Sequence, residues 1–102
     1  MKVDINKEIR QAVDTGKVIL GKDKSLKAIK LGDAKLVIVA SNCPSEVLAD
    51  IKRYGGLANI PVHIFRRDSA ELGVACGKPF LINVLSVLEP GNSNILSLGG
   101  TR

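Results

Sequence analysis

The chain has no tryptophan, one tyrosine, one histidine and two cysteines in 102 residues. Its aromatic complement is Tyr54, Phe65 and Phe80, too few for a sheet that holds successive bases on several exposed rings. Cys43 and Cys76 lie in unlike contexts without a CxxC or Cys/His ligand spacing. They suggest neither a disulfide framework nor a zinc site, and read as two reduced, partly buried thiols. The apolar runs, Leu36 to Ala40 among them, are far shorter than the ~20 residues that cross a bilayer. Met1-Lys2-Val3-Asp4 opens no signal-peptide apolar region. A cytoplasmic protein without a membrane partner is expected. Repeats, linkers and low-complexity tracts are missing as well, which leaves one domain spanning residues 1–102, large enough to bury roughly two thirds of its unfolded surface. Acidic residues are in deficit: ten against fifteen Lys and Arg give a net charge of +5 and a pI near 9.5. In a domain this small that balance points to an anionic partner without naming it.

What is present alternates between helical and strand periodicity. Asp4 can cap a helix that places Ile5, Ile9, Ala12 and Val13 on one face and ends at Gly16. Lys17 to Leu20 predicts a short buried strand stopping at Gly21. Ser25 to Leu31 predicts a second helix with Leu26 and Ile29 inward, Lys24, Lys27 and Lys30 outward, and Gly32 as its stop. Lys35 to Ala40 reads as a strand covered on both faces. Pro44 fits the first turn of a third helix with Val47, Leu48, Ile51 and Tyr54 inward and an end at Gly55-Gly56. Pro61 to Phe65 is a further strand. Asp68 followed by Glu71 is a capping-box-like start to a short helix closed by Gly77. Asn83 to Glu89 is the last clear strand, Pro90-Gly91-Asn92 a turn, and Ile95 to Leu98 either a short helix or an extended segment. The alternation implies a three-layer α/β/α sandwich.

GKVILGKDKS, residues 16–25, comes close to a nucleotide phosphate loop. In such a loop a glycine ends a strand, and a lysine with a magnesium-binding hydroxyl opens the next helix. Here the order is reversed. Gly16 ends a helix, Val18-Ile19-Leu20 is too apolar and β-branched for an exposed loop, and Asp23 stands where the hydroxyl belongs. What survives is a strand ending at Gly21 and running into a helix N-terminus, where backbone N–H groups and the helix dipole favour anions. Five lysines and one acid between Lys17 and Lys30 make this the densest basic cluster in the chain. An enzyme using the Gly21 loop for a nucleotide finds no support, because no acid pair or nucleophile and base accompany it. His63, in an apolar strand beside Pro61 and Val62, reads as a structural histidine.

Four segments carry a more specific resemblance: Asp14-Thr15-Gly16-Lys17-Val18-Ile19-Leu20-Gly21 with Lys24-Ser25; Ala34 to Asn42; Glu71-Leu72-Gly73 with Gly77-Lys78; and Glu89-Pro90-Gly91 leading to Ile95-Leu96. In this order, colinear from near the N-terminus to Gly100, the chain resembles the archaeal and eukaryotic family of large-subunit ribosomal protein thirty, a branch of the superfamily that recognises kink-turn RNA. The resemblance implies an α/β/α sandwich with a mixed four-stranded sheet and no catalysis or cofactor. Its implied partners are ribosomal RNA and neighbouring ribosomal proteins, with the free protein a monomer.

In that family three loops at one end of the sandwich grip RNA. On matching positions the first strand-to-helix loop offers Gly21, Lys24 and Ser25, the second offers Asn42, and the loop before the last strand offers Lys78, Pro79 and Phe80. Lys27, from the same basic cluster, is placed with them. Gly21 would let backbone approach the RNA, Lys24 suits phosphates or guanine acceptors, and Asn42 offers a donor and an acceptor to a base edge. Phe80 would lie against an unstacked base. Bland alternatives stand beside these: Asn42 serving a helix start, Phe80 a core ring, and Arg66 and Arg67 either touching phosphates or forming a solvated rim. Many superfamily members carry an Asn-Glu pair that reads sheared G·A pairs where this chain has Asp23-Lys24. Asp23 could accept from guanine amino groups, cap the helix or temper the lysines.

Overall fold

The computed structural model describes residues 5–93 and 95. Its elements, in chain order, are α1 (Ile5–Thr15), β1 (Lys17–Leu20), α2 (Lys22–Lys30), β2 (Leu36–Val39), α3 (Ser45–Leu57), β3 (Val62–Ile64), α4 (Ser69–Ala75) and β4 (Val84–Glu89). The expected capping of α1 by Asp4, and the segment beyond Ile95, lie outside the described residues.

The sheet order is β1-β4-β2-β3. β4 runs antiparallel to both β1 and β2, while β2 and β3 are parallel. The sheet is mixed and four-stranded. β2 lies inside it and buries all four residues, as its unbroken apolar run requires. The period of two divides its side chains between the faces. Leu36 and Ile38 join Ile9, Ala12, Leu72, Cys76, Leu85 and Val87 under α1 and α4. Val37 and Val39 join Ala28, Ile29, Ile51 and Val84 under α2 and α3. These two cores make the α/β/α sandwich.

Several boundaries move. β1 is an edge strand and only half-buried rather than enclosed. Pro44 is the N-cap residue, one position before the first helical residue. α3 runs through Gly55-Gly56 and ends at Leu57, because Gly55 is a packing residue: a Cβ there would stand 3.1 Å from the Val62 side chain and 3.2 Å from the Ile60 carbonyl oxygen. The left-handed turn that closes the helix falls on Asn59, φ 58. The Asn59 N–H donates to Gly56 and the Ile60 N–H to Gly55, the paired bonds of a Schellman motif. Asp68 caps α4 as expected, accepting from the Glu71 N–H at 3.0 Å. Among the described residues no helix is long and apolar enough to cross a membrane.

Candidate nucleic-acid interface

Topology decides which loops meet. β1, β2 and β3 point the same way and β4 the other, so the loops leaving the first three strands and the loop entering β4 share one end of the sheet. Backbone bonds knit them together. The Gly21 N–H donates to the Val84 carbonyl at 2.9 Å, Ala40 to Asn83 at 2.9 Å, Ile82 to Ser69 at 3.1 Å and Ser41 to Arg67 at 3.0 Å.

Gly21 is the N-cap of α2 with φ 114 and ψ 153, a conformation L side chains rarely adopt, and no side chain among the described residues caps the helix. A Cβ added to Gly21 would meet nothing within 4 Å, so the glycine answers a backbone demand and not a crowded neighbour. This turn lets α2 begin at Lys22 rather than Ser25. Three residues of the expected loop, Lys22 to Lys24, join its first turn, and Asp23 is an exposed first-turn acid that does not cap the helix.

The earlier start rotates the side chains. Ser25 was expected to touch RNA, and the structure corrects this: the residue is fully buried and its hydroxyl donates weakly to the Ile19 carbonyl at 3.5 Å. Lys24 and Lys27 are exposed and line a depression with Ile19, Ala28, Leu31, Asp33 and Leu88, on the β1 flank of α2. Lys27 stands in the last turn of α2, away from the loop cluster. Lys22, not singled out from the sequence, lines the groove at the loop end. Its position directly after Gly21 was the signal available.

The loop entering β4 is held from beneath. Gly77 (φ 73) closes α4, and the N–H groups of Gly77 and Lys78 donate to Val74 and Gly73 at 2.9 Å each. The chain then folds back across α4 so closely that a Cβ on Gly73 would fall on the Phe80 carbonyl oxygen. Lys78 is half-buried and Pro79 exposed. Phe80 and Leu81 are 54% and 68% exposed, whereas Ile82 is buried and anchors the turn. Phe80 is therefore not a core ring. Leu20, Gly21, Lys22 and Phe80 to Asn83 line one open groove, joining the first and third of the expected loops. Leu81 escaped the sequence reading because nothing in a Phe-Leu-Ile run tells which side chain faces out.

The second loop contributes less directly. Asn42 is exposed, but its Oδ1 accepts from the Ser69 N–H at 2.8 Å and its Nδ2 donates to the Ser69 hydroxyl at 3.3 Å. The amide expected to read a base edge also ties this loop to the start of α4, a helix other than the one it precedes, and keeps a second N–H and a second lone pair for other partners. Burial pushes the neighbouring Cys43 thiol up, opposed by the nearby Lys22 charge. The fully buried Cys76 is raised to about 11 by burial, opposed by Lys78 and Arg10. No three His, Cys, Asp or Glu among the described residues are grouped to hold a metal ion. The end of the sheet thus offers cations beside exposed apolar groups, a surface suited to phosphates and unstacked bases.

Comparison with known proteins gives concordant findings. The model described as "Ribosomal protein L7Ae/L30e/S12e/Gadd45 family" matches residues 3–97. The chain is 54% identical to the protein named "Large ribosomal subunit protein eL30" of Methanosphaera stadtmanae, covering 94% of this chain and 98% of that one. It is 51% identical to the protein of the same name in Methanocaldococcus jannaschii, covering 94% and 87%. Among solved structures, a Bacillus halodurans protein of unknown function shares the fold, with a TM-score of 0.82 at 24% identity over 94% of this chain and 95% of the other.

Proposed function

The chain belongs to the ribosomal protein L7Ae/L30e/S12e/Gadd45 family, and on that premise we propose that it binds ribosomal RNA at a kink-turn, a helix-internal loop-helix, as a structural constituent of the large ribosomal subunit. Its curated relatives are named as ribosomal proteins of the large subunit, and a place in the cytoplasmic ribosome, without enzymatic activity, follows from that kinship. Neighbouring ribosomal proteins are its further partners there, and the free protein is a monomer.

One observation carries the RNA reading. The groove at the loop end sets exposed Phe80 and Leu81 beside Lys22 and the open turn at Gly21. A kinked RNA presents an unstacked base and closely spaced phosphates together, and this surface pairs a ring and an apolar floor with cations. A straight duplex offers the phosphates alone. Affinity for a kink-turn RNA is therefore expected to exceed that for a duplex of equal length by a wide margin, and to fall with salt as the neutralised phosphates dictate. Titration of the two RNAs at several salt concentrations tests this; equal affinities would refute the reading.

A further inference from the structure

Besides the three expected loops, a fourth reaches the same end of the sheet. It joins β3 to α4 and carries Arg66 and Arg67. Both are exposed, and neither guanidinium has a hydrogen-bond or ion-pair partner among the described residues. The acid that follows them, Asp68, is turned away to cap α4. The backbone carrying the pair is fixed on both sides. The Phe65 N–H donates to Val39 at 2.7 Å, the Arg67 carbonyl accepts from Ser41 at 3.0 Å, and Ser69 is bonded twice to the Asn42 amide.

Sheet order gives this loop its place. β1 and β3 are opposite edges, three strand spacings or roughly 14 Å apart, with the loop entering β4 between them. The end of the sandwich therefore reads cationic at the β1 edge (Lys22, Lys24), apolar in the middle (Phe80, Leu81) and cationic again at the β3 edge (Arg66, Arg67). We infer that Arg66 and Arg67 form a second phosphate clamp, engaging the backbone of the RNA stem opposite the one held by the α2 lysines. This rests on the kink-turn reading above. With an unstacked base in the central groove, the two stems of a helix-internal loop-helix leave toward opposite edges of the sheet, and each meets its own pair of cations. Planar guanidinium forks suit phosphate oxygens, and a rigid loop spares the cost of ordering them.

The experiment compares the wild-type chain with the double variant Arg66→Gln, Arg67→Gln on a two-stem kinked RNA, on two derivatives each with one stem truncated, and on a straight duplex. Loss of two phosphate contacts lowers the slope of log affinity against log salt by about 1.8, so between about 50 and 200 mM salt the wild type loses roughly tenfold more affinity than the variant. Truncating one particular stem is expected to abolish this difference, and truncating the other to preserve it. Both side chains are exposed, so an unchanged melting temperature separates the effect from misfolding. If the wild type prefers the kinked RNA while the variant keeps the full salt slope, the clamp is overturned and the kink-turn reading stands. If the wild type binds kinked and straight RNA equally, the kink-turn reading itself falls and takes the clamp with it.

Discussion

Truncating Phe80 to alanine separates binding from folding, and the structure sets both magnitudes. The ring keeps 54% of its surface exposed, so the folded state gains less than half of the about 1.5–3 kcal/mol that full burial of such a side chain provides. Stability should fall by at most about 1.4 kcal/mol, a melting shift of no more than about 6–11 °C for a domain near this size. The backbone at Phe80 lies over Gly73 and is unaffected by the substitution. A ring stacked on a base is worth about 1–3 kcal/mol, so affinity for a kinked RNA should weaken about 5- to 150-fold. Filter binding under stoichiometry control, alongside a thermal melt, measures both. A melting loss of several kcal/mol with unchanged affinity would return Phe80 to a structural role and refute the argument.

Other perturbations test other links. Gly73→Ala puts a Cβ on the Phe80 carbonyl oxygen and should cost about 1–3 kcal/mol through overpacking, with RNA affinity falling as the loop shifts; a neutral melt would show that the close approach is dispensable. Ser86 is fully buried in β4 and its hydroxyl has no hydrogen-bond partner among the described residues. Ser86→Ala should therefore leave stability unchanged or raise it by about 1 kcal/mol, and a clear loss in denaturant titration would mean that a bonded partner exists. Burial holds the His63 pKa below its usual 6.5, so the unfolded chain binds the extra proton first. The resulting stability is fully present above pH 6.5 and is lost as pH falls through the folded pKa. Melts across this range should show the decline in the wild type and a smaller one in His63→Gln; identical profiles would assign the dependence elsewhere.

Much of the fold was legible because its signals are local. The apolar run at β2, the Asp68 and Glu71 capping pair and the turn at Gly32 each act within a few residues, and each appears where expected. Two of the errors share one cause. Glycine is ambiguous in sequence: at Gly55 it admits a neighbouring strand, whereas at Gly21 it supplies a backbone angle that starts a helix three residues early. The second error carried over to the candidate site. It turned Ser25 inward and brought Lys22 to the groove.

The sequence by itself determined the layer order, the two-sided central strand and the positive charge. These depend on periodicity and composition, which a linear chain displays directly. Only the tertiary structure decided which loops meet, since that follows from a sheet order in which β4 inserts between β1 and β2. It also decided which polar groups remain available. The Asn42 amide gives one donor and one acceptor position to Ser69, a residue 27 positions away, while Arg66 and Arg67 are left exposed at the β3 edge. A side chain's partner across the fold is a matter of packing, and no local pattern encodes it.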